Sequence, residues 1–191
     1  MSKCPVCHSR KAKRKCLITE DNNICSLCCG QIRKEESCSD CRYYQSPKLR
    51  RKYNETPAYS TMQMEANYEL QSYSDAIESA LGAFDRDTGE KIKDDVALGI
   101  LKRLIDLYHY KDDEITFESP IVEDGFHYVN NVIKGELALL PEAQLIKILG
   151  VLHFVANRRT QGGREYLTVI HRYVGERVAP GVRVISGFEK L

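Results

Sequence analysis

A chain of 191 residues with 42% apolar content is long enough for one ordinary domain plus a small module, and too apolar to be a disordered tail. Its formal net charge of +1 conceals a segregation, +8 over residues 1–52, −12 over 53–142 and +5 over 143–191, which suits either a polyanion-binding face or charge matching within and between chains. No apolar run follows the charges of MSKCPVCHSRKAKRKC and no eighteen consecutive apolar residues occur, so neither a signal peptide nor a membrane span is expected, and the expected location is cytoplasmic.

All eight cysteines lie between Cys4 and Cys41, and in a reducing compartment such a cluster calls for a metal rather than a disulfide framework. Their order is regular: Cys4-xx-Cys7, eight residues, Cys16, eight residues, Cys25-xx-Cys28-Cys29, eight residues, Cys38-xx-Cys41. Zn²⁺ takes four thiolates tetrahedrally, so eight make two sites with none left over. Adjacent side chains of an extended segment point to opposite sides, which assigns Cys28 and Cys29 to different ions. The expected sets are Cys4, Cys7, Cys25 and one member of the doublet on one zinc, with Cys16, the other member, Cys38 and Cys41 on the second. Metal binding would then supply the folding free energy of a forty-residue stretch too small to bury a core. An iron–sulfur centre is the competing reading, but the pairs here are spread, unlike the tight CxxCxxC run of bacterial ferredoxins. A disulfide scaffold or redox switch is the other. His8, the one spare ligand nearby, reads as a surface histidine.

Arg10, Lys11, Lys13, Arg14 and Lys15 form a basic run between Cys7 and Cys16, and Lys48, Arg50, Arg51 and Lys52 form another after the module. Held on a zinc scaffold, these are the candidate nucleic-acid-binding residues, with Tyr43, Tyr44 and Tyr53 placed to stack on exposed bases. The bland alternative is a solvated face, and a protein partner competes with nucleic acid.

The organisation expected is a cysteine module over 1–45, a polar linker over 46–58 carrying QSPKLRRKYNETPAYS, and a helical domain over 59–191. In the last, Ala66, Leu70, Tyr73, Ile77, Ala80 or Leu81, and Phe84 make one apolar stripe on a long helix capped by Ser60 or Thr61 and stopped by DRDTGE. Further helices are expected from Asp94 to about Tyr110, from Pro120 to Gly135, from about Pro141 to Arg159, and from roughly Arg164 to Gly175, with APGVRVISGF extended. Five helices joined by short loops predict a small zinc-stabilised module followed by an all-α bundle. Arg158, Arg159, Arg164, Arg172, Arg177 and Arg183 make a second basic zone around Gly162-Gly163, more simply read as exposed arginines of a helical connection.

Catalytic constellations are scarce: there is no Gly-rich phosphate loop, HExxH, GxSxG or deaminase pattern. Asp106 with His109 and Glu123 with His127 each place a carboxylate and an imidazole on one helix face, the only enzymatic alternative the chain offers. His153 and His171 fall on apolar flanks and read as satisfied core or boundary histidines. Zinc-bound cysteines leave no open ligand position, so the expectation is a non-enzymatic protein.

Cys4-xx-Cys7, the basic RKAKRKC and then ICSLCC resemble the HIT-type and MYND-type zinc fingers over about forty residues, which implies two zincs bound in interleaved fashion. The chain departs from them in having only Cys16 where they carry a second CxxC, and Cys38 where they carry a histidine. Those fingers are often protein-interaction modules. The string KCPVC, RKAKRKC, ICSLCCG, CSDCRYY also resembles a group of uncharacterised bacterial proteins with this finger before a helical remainder. The function expected is binding: a nucleic-acid or ribonucleoprotein-associated factor, or else a protein–protein adaptor.

Overall fold

In the computed structural model, which describes residues 3–44 and 51–185, the chain divides into two units, residues 1–51 and 52–191. In the first, strand β1 (Arg14–Lys15) pairs antiparallel with β2 (Asn23–Ile24), Arg14 opposite Ile24 and Lys15 opposite Asn23. The reversal between them uses a 3₁₀ turn, Leu17–Thr19, and two left-handed residues, Glu20 and Asp21. Helices α1 (Ser26–Gln31) and α2 (Glu35–Cys38) follow. The buried cluster is Cys4, Cys16, Ile24, Cys25, Cys28 and Cys29, so only one buried side chain there is a hydrocarbon. Burial of one isoleucine is worth about 1.5–3 kcal/mol, far below the ordering entropy of forty residues, and something other than apolar burial must hold this unit.

The second unit begins with a strap containing the 3₁₀ turn Tyr53–Glu55, then α3 (Thr61–Glu65), α4 (Tyr68–Asp87), α5 (Asp94–Tyr108), α6 (Pro120–Glu136), α7 (Glu142–Arg159) and α8 (Glu165–Val169). A π-helical turn over Ile170–Val174 leads through Gly175 (φ 84°) into a hairpin of β3 (Glu176–Ala179) and β4 (Val182–Val184). Helix α5 packs on α6 and α7, and α4 on α6, α7 and β3. The core between them is built from Ile77, Leu81, Ile100, Leu101, Leu104, Ile148, Leu149, Tyr166, Leu167 and Ile170. Ser119 precedes Pro120 at the first helical position of α6, where the missing N–H costs nothing.

Three features depart from the expectations. The stripe from Ser60 to Phe84 is two helices: Ser60 and Gln63 form a capping box on α3, and Asn67 turns extended (φ −133°, ψ 103°) to accept from the N–H groups of Glu69 and Leu70 at 2.9 and 3.2 Å. Asparagine competes with the helix for its own backbone and wins as a cap. The unit is also not wholly α, because the chain after Gly175 forms a hairpin turning at Pro180-Gly181, where Gly181 takes φ 68°. Residues 186–188 of the segment expected to be extended lie outside the described residues. Finally, the proline-bearing stretch after Arg51 packs on helices rather than standing off as a linker, with Tyr53 and Tyr59 against the core.

The strap crosses α7 at Gly150, where a Cβ would fall 2.2 Å from the Pro57 carbonyl oxygen. Gly150→Ala is therefore expected to lose stability by about 2 kcal/mol in urea denaturation, the clash with backbone overriding the helix-propensity gain of about 1 kcal/mol. Gly135, on α6 with nothing within 4 Å of such a Cβ, is the control, and its alanine variant should be neutral or more stable. Equal effects at the two positions would mean that the strap does not lie on α7 in solution.

Candidate metal centre

The Sγ atoms of Cys4, Cys7, Cys25 and Cys28 all lie within 4.8 Å of one another, a group that could hold a metal ion. Cys7 and Cys25 are 3.9 Å apart. A tetrahedron with metal–sulfur bonds of about 2.3 Å has edges of about 3.8 Å, so the donor set fits an ion of that size. Two local structures make the set. The Cys4-to-Cys7 turn is closed by the Cys4 N–H on the Arg10 carbonyl (2.7 Å) and the His8 N–H on the Cys4 carbonyl (2.8 Å). Cys25 caps α1 and Cys28 stands one turn later on the same face, its N–H donating to Cys25 Sγ at 3.5 Å.

The doublet is thereby divided: Cys28 belongs with Cys4, Cys7 and Cys25. The two adjacent cysteines are helical, not extended, so they diverge by about 100° rather than pointing to opposite faces. Cys29 lines a separate small cavity together with Cys16, Cys38 and Cys41. The exposed His8 is not among the grouped ligands.

The thiols differ in acidity. The Ser9 hydroxyl, donating to Cys7 Sγ at 3.4 Å, and the N–H groups of Ser9 and Arg10 lower Cys7 to about 5. Burial, then the neighbouring thiols, push Cys28 up to about 12. An ion entering this group releases its most tightly held proton from Cys28, which makes metal affinity rise with pH.

The basic residues divide into free and engaged groups. Arg14 reaches Cys29 Sγ at 3.8 Å and lies 5.0 Å over the Tyr43 ring, whose other cation is Arg42 at 4.7 Å. Arg33 also reaches Cys29, at 3.9 Å. Arg14 and Tyr43 are thus parts of the module rather than open contacts. Lys15 pairs with Asp21 at 3.0 Å and Lys52 with Glu55 at 2.7 Å. Arg10, Lys11 and Lys13 are exposed, and an antiparallel bridge between Lys3 and Lys11 brings in Lys3, which the run of basic residues did not mark because it lies before Cys4. Arg51 is partly buried, and Arg50 and Lys48 lie outside the described residues. Tyr53 belongs to the helical unit, its hydroxyl donating to Asp106 at 2.9 Å.

Internal partners also take up most of the second basic zone. Arg164 grips buried Asp85 with both terminal nitrogens (3.1 and 2.7 Å), Arg183 pairs with Asp75 at 2.7 Å, and Arg177 pairs with Glu136. Arg158 and Arg172 lie over Phe154 and Tyr173. Asp106 is buried with Arg103 and Tyr53, His109 stacks on Tyr110, and Glu123 and His127 are exposed on α6, His127 against Phe117 and Phe126.

Sequence reasoning missed two polar clusters in the helical unit. His171 spans two carboxylates, Asp85 at 2.7 Å and Glu176 at 2.9 Å, and Arg86 holds Glu176 from the other side at 3.1 Å. Burial raises Glu78 to about 7, while the Tyr166 hydroxyl donates to it at 2.8 Å. Neither spacing is local, 86 residues separating Asp85 from His171 and 88 separating Glu78 from Tyr166, so no motif could carry them. His153 corrects an expectation, for it is 2% exposed and neither ring nitrogen has a hydrogen-bond partner among the described residues.

No helix among the described residues is long and apolar enough to cross a membrane. Comparison with family models, with curated proteins and with solved structures finds no match to the chain. The likeness to HIT-type and MYND-type fingers therefore rests on the cysteine motif and the four-thiol group alone.

Proposed function

We propose that this is a cytoplasmic, non-enzymatic zinc protein whose N-terminal module binds nucleic acid. Cys4, Cys7, Cys25 and Cys28 hold one Zn²⁺, and Cys16, Cys29, Cys38 and Cys41 a second, with Arg14 and Arg33 balancing charge around Cys29. The observation that carries the nucleic-acid reading is the exposed group Lys3, Arg10, Lys11 and Lys13, which has no carboxylate partner among the described residues and is gathered around the Lys3–Lys11 bridge. Four phosphate contacts on a single strand give a salt slope of about −3, which weakens binding about 50-fold between 50 and 200 mM salt.

Fluorescence anisotropy with a single-stranded RNA twelve-mer, on protein shown by elemental analysis to carry zinc, tests this directly. The expected result is that steep slope, flattened to near zero when Lys3, Arg10, Lys11 and Lys13 are all replaced by glutamine. Two zincs per chain with no salt-sensitive binding would leave the adaptor reading, which the exposed Met62 (78%) and Tyr68 (80%) at the start of the helical unit favour.

A further inference from the structure

His153 stands on α7 beneath the strap that opens the helical unit. The Tyr53 ring covers it, with centroids 5.8 Å apart, and Tyr53 is in turn held by Asp106 and by Arg103 at 3.1 Å and edged by Tyr110 at 6.1 Å. Three residues on, Thr56 is 7% exposed with its hydroxyl unpartnered among the described residues, and Pro57 sits directly on Gly150. Tyr59 closes the strap under Lys147 at 5.3 Å. A buried imidazole with two unpartnered nitrogens is rare in a folded protein, because each forgone hydrogen bond costs free energy. It is tolerated here only while the ring is neutral.

We propose that His153 makes the strap an acid-operated latch: protonation of the ring releases residues 52–60 from α7, freeing the segment that follows the cysteine module. Among the described residues, the charged and titratable groups around the ring give it no anion to pair with, and on the strap itself Glu55 pairs with Lys52. Lys102 on α5 is a like charge, Asp106 is held by Arg103 and Tyr53, and Tyr110 sets its ring edge against Tyr53. On α4 and α8, which also pack on α7, Glu78 and Tyr166 are bonded to each other. Burial first, and Lys102 second, lower the ring to about 4 from an ordinary 6.5. With the strap open the ring returns to solvent and takes up its proton at the ordinary value. A folded value below the open one means that protons bind on opening, so the closed strap is fully favoured above pH 6.5 and loses ground as pH falls toward 4. Between pH 7.5 and 5 the opening equilibrium shifts by about 30-fold.

Hydrogen exchange of the full-length metal-loaded chain reads this at the Glu55 and Thr56 amides, which bond to the carbonyls of Lys52 and Tyr53. After correction for intrinsic exchange, their protection should fall about 30-fold from pH 7.5 to 5 while that of α5 holds, and His153→Phe should abolish the difference. Protection that is equal at the two pH values overturns the latch, as does an acid loss that persists in His153→Phe, which would belong to the thiolate sites instead. Should the phenylalanine variant fail to fold, an NMR titration of the wild-type ring decides: a value near 4 supports the latch, and an ordinary value with the strap still protected sinks it.

Discussion

Cys28→Ser is expected to unfold residues 3–44 at neutral pH while the helical unit keeps its thermal transition. The buried cluster of the first unit is five cysteines and Ile24, so no hydrocarbon core remains to hold β1, β2 and α1 once ligation fails. Structural zinc in modules of this size contributes about 10–16 kcal/mol of apparent binding free energy, which is folding free energy because the site does not exist in the unfolded chain. Serine keeps the size and loses the thiolate. Strong chelation of the wild-type protein should have the same result. Amide resonances of residues 3–44 collapsing to random-coil positions, with those of 61–174 unmoved, is the outcome to look for. If Cys28→Ser and chelation both left the first unit folded, the four-thiol group would not be a metal centre.

Asp85→Ala should lower the stability of the helical unit by about 3–5 kcal/mol, because a buried charge network is broken by removing one partner. Asp85 is 0% exposed and is the single anion shared by Arg164 and His171; Arg164 also donates to the Ile92 carbonyl at 2.9 Å and to the Glu90 carbonyl. Without Asp85, Arg164 in the α7–α8 connection loses its buried carboxylate, and His171 in the π-helical turn keeps only Glu176 among the described residues. In a unit of this length that corresponds to a Tm drop of about 10 °C or more, read by circular dichroism. Asp87→Ala is the control: its carboxylate is half-exposed, pairs only with Arg86 among the described residues, and its loss should cost less than about 1 kcal/mol. A drop of under about 3 °C for Asp85→Ala would show that the network is ornamental to stability.

The four long helices were legible because their apolar residues repeat at three and four and their ends carry local signals, Asp94 and Asp95 in the first turn of α5, Pro120 in α6, Arg158 and Arg159 in the last turn of α7. The stripe reads as one helix, and the break at Asn67 escapes notice because that side chain, by capping its own backbone, outcompetes the apolar period that runs through it. The strap was read as a linker since its polar residues and prolines show no period, whereas what fastens it is one aromatic hydroxyl reaching Asp106, 53 positions away. Arg14 looked like a ligand-binding cation, and Arg164, Arg177 and Arg183 like exposed arginines of a helical connection, because a partner distant in sequence leaves no trace in a charge run.

By itself, then, the sequence determined that a cysteine-rich module precedes a helical domain, since cysteine spacing and helical period are properties of neighbouring residues. Which doublet member joins Cys4, Cys7 and Cys25 was decided only when α1 set Cys28 and Cys29 about 100° apart. Which cations stay free, and why His153 is left with none of its hydrogen bonds, was likewise decided by tertiary packing. Burial and pairing between residues fifty to ninety positions apart depend on where the chain returns, and no local pattern contains that.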